Sequence, residues 1–117
     1  MAAEEKVGSQ KVFEDDRVVV WYFDLAPGEL GVMHTHHHDY AVRVLSAARL
    51  RVIGPDGEEL YTVDRSPGTA LTFRIEGEQI VSDLPGMKPI PITHQVHNIG
   101  ETPFREVLVE FKDQAVG

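Results

Sequence analysis

Turn-forming residues recur at short intervals along this chain and divide it into apolar runs that are too short for long helices. Pro27-Gly28, the run from Gly54 to Gly57, Pro67-Gly68 and Glu76-Gly77 all favour tight turns. The last apolar run, Phe104–Phe111, alternates between two faces as a strand does. No segment shows the period of a long amphipathic helix. The pattern predicts an all-β fold of antiparallel strands, either a sandwich or a barrel.

Length and charge limit the domain count and the class of partner. A chain of 117 residues fits one domain, and we expect a mobile tail at 1–10 and a single domain at 11–117. The net charge of −8 argues against a nucleic acid or an anionic membrane as partner, because both select basic surfaces. No stretch has the length and apolarity of a membrane span or a signal peptide, so we expect a cytoplasmic protein. The absence of cysteine excludes thiolate chemistry.

The run Val18–Phe23 is apolar on both of its faces. A strand of that kind is covered on both sides, and a second copy of the chain is a natural cover. We therefore expect a homodimer.

All six histidines fall in two groups, one at 34–38 and one at 94–97. Because side chains alternate along a strand, His34 and His36 would point one way and His37 the other, and His38 would join the first two if the strand continues to it. Two imidazoles side by side can bind one cation, and His94 is the natural third ligand from a distant strand. Imidazole suits zinc, iron, copper and nickel alike, so ligand type alone does not choose the metal.

Two motifs of this sequence resemble those of the cupin superfamily. The run from Gly28 to His36 is similar to the first cupin motif, a glycine followed after five residues by HxH. The run from Pro89 through His94 to Asn98 is similar to the second. The resemblance covers most of Val18–Phe111. It implies a double-stranded β-helix, or jelly roll, with a metal ion bound inside by His34, His36 and His94.

The acid position of the first motif carries no carboxylate in this chain. By spacing it falls on Ala41, or on Tyr40 if the turn is one residue shorter, and the neighbouring Asp39 has the wrong spacing. The expected site therefore has three histidines and open positions for substrate or water. His38 is the reserve ligand if the register differs.

The second motif also departs from the family pattern. Pro91 replaces the usual glycine and should stiffen the backbone before His94. The stretch Arg74–Pro91 is longer than the motif requires, and it could form a lid or an additional hairpin.

Two further residues are candidates for the catalytic machinery. If Ala41 occupies the acid position, Arg43 faces inward beneath the metal and could orient an anionic substrate. If Tyr40 occupies it, Arg43 faces outward. Tyr40 itself could place a hydroxyl near the metal or serve only as a core aromatic.

The resemblance implies a small non-haem oxygenase. We expect one divalent ion, with Fe(II) favoured over zinc, nickel or manganese, and a small-molecule substrate such as an organic acid, diketone or phenolic. The alternatives are a non-redox metal enzyme (isomerase, hydrolase or lyase) and a non-catalytic module that binds a small molecule or metal.

Overall fold

The computed structural model describes residues 7–82 and 84–112, which form eleven strands and no helix. No element in these residues could cross a membrane as a helix. In chain order the strands are β1 (Gln10–Glu14), β2 (Val18–Leu25), β3 (His34–Thr35), β4 (Tyr40–Ser46), β5 (Ala48–Ile53), β6 (Glu59–Arg65), β7 (Ala70–Glu76), β8 (Gln79–Ser82), β9 (Ile90–Pro91), β10 (Thr93–Asn98) and β11 (Phe104–Phe111).

The strands form two antiparallel sheets that enclose one interior. The larger has the order β1-β2-β11-β4-β7-β8-β9 and the smaller the order β3-β10-β5-β6. Residues of both sheets share one buried cluster, in which Val52 of β5 packs with Trp21 of β2 and Val42 of β4. The predicted all-β fold of antiparallel strands is therefore confirmed.

Alternation along β2 and β11 determines what enters the interior. Val19, Trp21, Phe23 and Leu25 are buried, while the residues between them are partly exposed on the outer face. Across the β2–β11 ladder, Phe23 pairs with Glu106. A carboxyl group therefore lies in the same inward layer as an aromatic ring.

The N-terminal segment joins the barrel earlier than expected. Val7 is buried in the core and the Ser9 amide donates to the carbonyl of Tyr22. A Cβ at Gly8 would lie 2.5 Å from the Cβ of Trp21, so only glycine fits this crossing. The expected tail therefore does not extend through residues 7–10, and residues 1–6 lie outside the described part of the chain.

The stretch Arg74–Pro91 contains the additional hairpin. Strands β7 and β8 pair through Glu76 and Gln79, and Gly77 between them has a φ of 66°, a conformation that glycine adopts without strain. Strand β9 then pairs with β8, and the loop from Leu84 to Pro89 lies beside edge strand β6.

Candidate metal centre and cavity

Three histidines meet inside the barrel where β3 pairs with β10. His34 and His94 are directly opposite each other in that ladder, and the His36 amide donates to the carbonyl of Ile92 just beyond it. One ring nitrogen from each of the three lies within 4.8 Å of the others. All three side chains are buried, whereas His37 is exposed. The structure thus brings together the three residues that the sequence proposed.

Main-chain carbonyl groups orient two of the rings. Nδ1 of His34 lies 3.0 Å from the carbonyl oxygen of Val32, and Nδ1 of His94 lies 2.9 Å from that of Pro91. Because a carbonyl only accepts, each Nδ1 carries the proton and each Nε2 keeps a free lone pair. This is the arrangement found in metal-binding histidines. Pro91 thus supplies the acceptor that fixes the ring of His94.

The third ring shows that a ligand fits this group. Nδ1 of His36 is buried and has no hydrogen-bond partner in the described structure. A buried polar atom without a partner is costly, and a bound ion is one way to satisfy such a group. The Tyr40 ring stacks on His36 with centroids 4.2 Å apart. Three imidazoles with one unsatisfied nitrogen suit a divalent transition metal.

Burial keeps these imidazoles in the form that binds metals. Desolvation lowers the pKa of His34 and lowers that of His94 to about 4. The pKa of His36 falls well below its usual value through desolvation, and then through its two neighbours His94 and His34. All three are neutral at physiological pH, so an ion need not displace protons to bind.

The other proposed ligands lie apart from this group. The Asp39 carboxylate accepts a hydrogen bond from the amide of Ile75 at 2.9 Å and so ties down the β7 backbone. His38 is partly exposed, and the metal-competent group found in the described residues does not include it.

The inward acid position is occupied by Tyr40, and this corrects the expectation for Arg43. Tyr40, Val42 and Val44 are buried, whereas Arg43 is exposed on the outer face of β4. An inward Arg43 required Ala41 at the acid position, so the placement of Arg43 beneath the metal is wrong. Its side chain cannot orient a substrate inside the barrel.

A cavity of about 80 Å³ adjoins the histidines, and its lining includes polar groups that the sequence interpretation did not single out. Besides the three imidazoles and Tyr40, it is lined by Tyr61, Arg65 and Glu106. Burial raises the pKa of Glu106 to about 8, against the opposing effect of Arg65. The available signal was that Glu106 shares a face with Phe104 and Leu108, which are core residues.

Comparison with known proteins identifies the fold. No protein-family model and no curated protein matches the sequence. A cupin domain from Bordetella pertussis Tohama I superposes with a TM-score of 0.66 at 23 % identity, over 97 % of this chain and 99 % of that one. An RmlC-like cupin with a double-stranded β-helix fold from Methanocaldococcus jannaschii gives 0.56 at 15 % identity, over 95 % and 89 %. A polyketide cyclase from Streptomyces resistomycificus gives 0.55 at 18 % identity, over 97 % and 75 %.

The two-sheet barrel and these similarities agree with each other and with the two sequence motifs. The chain therefore has the cupin fold, a double-stranded β-helix, with a buried three-histidine group that could hold a metal ion in its interior.

Proposed function

We propose that this chain is a small non-haem oxygenase that binds Fe(II) through His34, His36 and His94. Its substrate would be a small molecule with chelating oxygen atoms, such as an organic acid, diketone or phenolic. The observation that carries the proposal is the convergence of three buried, neutral imidazoles on a cavity, with no carboxylate among them.

The donor set determines what kind of ligand would complete the site. Three imidazoles contribute no negative charge, so a divalent ion held by them would keep its full charge and favour a substrate that chelates as an anion. A bound metal would supply Lewis-acid and electron-transfer chemistry.

The chain's own residues position the reactants. The carbonyl groups of Val32 and Pro91 hold two rings, and Tyr40 stacks on the third. Apolar side chains, among them Phe23 and Leu108, line the remaining wall of the cavity beside the histidines.

A second candidate keeps the metal but changes the reaction. The polyketide cyclase from Streptomyces resistomycificus shares the fold, and imidazole donors accept zinc, nickel or manganese as well as iron. A non-redox reaction on a small oxygen-rich metabolite would use the same three histidines and no dioxygen.

Metal analysis would test the site first. The protein is purified anaerobically without tag or chelator, and its metals are measured by elemental mass spectrometry beside His36→Ala and His37→Ala. We expect stoichiometric iron in the wild type and in His37→Ala, which alters an exposed neighbour, and its loss in His36→Ala. No metal in the wild type, even after reconstitution, would reject the site.

Oxygen uptake would then separate the two candidates. The iron-loaded protein is offered diketones, catechols and oxo acids in an oxygen electrode. Consumption that depends on both iron and substrate supports the oxygenase. Product formation without oxygen uptake, or with zinc alone, favours the non-redox enzyme.

We also propose that the chain forms a homodimer through the outer face of the larger sheet. On that face Val20 pairs with Val109 and Tyr22 with Val107, and Phe13 and Phe111 are 51 % and 39 % exposed. An apolar face of this kind matches the composition of homodimer interfaces. Light scattering after gel filtration should show a dimer that Val109→Lys dissociates and Gln79→Lys, on a distant strand, does not. A monomeric wild type would reject the dimer.

A further inference from the structure

The cavity lining contains polar groups besides the histidines, including one residue from each sheet. Glu106 enters it from β11, between the buried Phe104 and Leu108, and Arg65 enters it from the end of β6. Tyr61, which lies on β6 four residues before Arg65, lines the same space. The effect of Arg65 on the pKa of Glu106 shows that the two groups lie within electrostatic reach of each other.

Arg65 and Glu106 nevertheless form no ion pair. Within residues 7–82 and 84–112, neither side chain has a hydrogen bond or salt bridge at contact distance. The carboxyl of Glu106 is neutral at pH 7, because desolvation outweighs the attraction of Arg65 and raises its pKa to about 8. With no direct contact between the two side chains, Glu106 is not paired with Arg65 in the described part of the chain. A partly exposed guanidinium that lines a cavity and has no protein carboxylate as partner can pair with an anionic ligand.

Arg65 also lies where the cavity meets the outside. Tyr61, Val63, Arg65 and Ile90 line both the cavity and a groove of about 620 Å³ between β6 and the loop from Leu84 to Pro89. The groove and the cavity are therefore adjacent, and Arg65 lines both. Lys88 on the far wall of the groove adds a second positive charge near Arg65.

We propose that Arg65 and Glu106 form a subsite for a carboxylate group of the substrate, so that the substrate is a small acid held both by the histidines and by this subsite. Its chelating oxygens would face the three histidines. Its carboxylate would accept hydrogen bonds from the Arg65 guanidinium and from the neutral carboxyl of Glu106. This inference rests on the proposed function for the chelating end only.

A matched pair of ligands tests the subsite. Heptane-2,4-dione and 4,6-dioxoheptanoate share one carbon skeleton and one chelating diketone, and only the second carries a carboxylate. Each is titrated into ¹⁵N-labelled, zinc-loaded protein, which is diamagnetic. The NMR signals of the histidine rings report chelation and the Arg65 Nε–Hε signal reports the subsite.

We expect 4,6-dioxoheptanoate to bind roughly tenfold tighter than heptane-2,4-dione, the contribution of one charge-assisted hydrogen bond. Arg65→Met should abolish that difference and leave the affinity for the neutral diketone unchanged. Arg49→Met, which removes an exposed guanidinium from the neighbouring strand, should preserve it. Glu106→Gln should also preserve it at pH 7, because the amide still donates.

Equal affinities in the wild type, or a difference that persists in Arg65→Met, would overturn the subsite. Arg65→Lys provides a second test if the methionine variant does not fold. If neither compound moves the histidine signals, the chelating role in the proposed function fails. The Arg65 signal then tests the subsite by itself. A shift of this signal with 4,6-dioxoheptanoate supports the subsite, and an unchanged signal overturns it.

Discussion

Replacing the cavity-lining acid Glu106 by glutamine should stabilise the protein, and increasingly so as the pH rises. The folded structure raises the pKa of this carboxyl from 4.5 to about 8, mainly through desolvation. Between these two values the unfolded chain releases a proton that the folded chain retains. The wild type therefore loses stability as pH rises through this window, whereas glutamine does not titrate.

The magnitude follows from the pKa shift. Each pH unit inside the window corresponds to about 1.4 kcal/mol, so Glu106→Gln should gain about 3 kcal/mol relative to the wild type between pH 4.5 and 7, as an upper limit. Water in the cavity would solvate an ionised carboxylate and reduce this gain. Other titrating groups are common to both proteins and cancel in the difference.

Urea unfolding followed by the fluorescence of Trp21, the one tryptophan of the chain, measures the effect at about pH 5, 6, 7 and 8. Glu101→Gln, which removes an exposed loop carboxylate, is the control and should show no such slope. The reasoning is refuted if the difference between Glu106→Gln and the wild type stays constant over this range. It is equally refuted if that difference falls as the pH rises.

Three further outcomes are expected from urea unfolding followed by circular dichroism, because Trp21→Phe removes the only tryptophan. Trp21→Phe should lower the free energy of unfolding by about 2 kcal/mol, because it leaves the buried Glu110 carboxylate without the indole donor 2.8 Å away. Glu110→Gln keeps an acceptor and should lower it less. Equal losses in the two variants would contradict this. Gly8→Ala should lower the free energy of unfolding by more than about 1 kcal/mol, because its Cβ would overlap the backbone and side chain of β2. An unchanged urea midpoint would contradict the close approach of Gly8 to β2. The metal-free protein should lose stability as pH falls from 6.5 towards 4, because the unfolded chain protonates His94 before the folded one does. His94→Gln should lose less stability over this pH range. An equal loss in the variant and the wild type would contradict this.

Local signals in the sequence were sufficient for six of the strands, β2, β4, β5, β6, β7 and β11, and for the three histidines. The turn at Gly54–Gly57 lies between β5 and β6, and the alternating run Phe104–Phe111 is β11 over its full length. Alternation also separated the buried His36 from the exposed His37. These features depend on neighbours in the chain, and the period of a strand fixes them directly.

The polar lining of the cavity depended on register, which the sequence left open. A shift of one residue decided whether Tyr40 or Ala41 faced inward, and with it the side of the sheet on which Arg43 lies. The ladder between β11 and β4 shifts register at Arg105 and Glu106, and no local pattern indicates such an irregularity. Arg65 enters the cavity from an edge strand, so its inward position follows only from the assembled barrel.

The carbonyl groups that fix His34 and His94 have a consequence for how this scaffold can change. Both acceptors belong to the main chain, at Val32 and Pro91, so the aim of these two rings is independent of which side chains line the remaining space. Substitutions at the apolar wall could therefore reshape the cavity while those two rings stay in place. That separation makes the cavity a suitable starting point for redesign, because its shape can be changed without changing how the two rings are held.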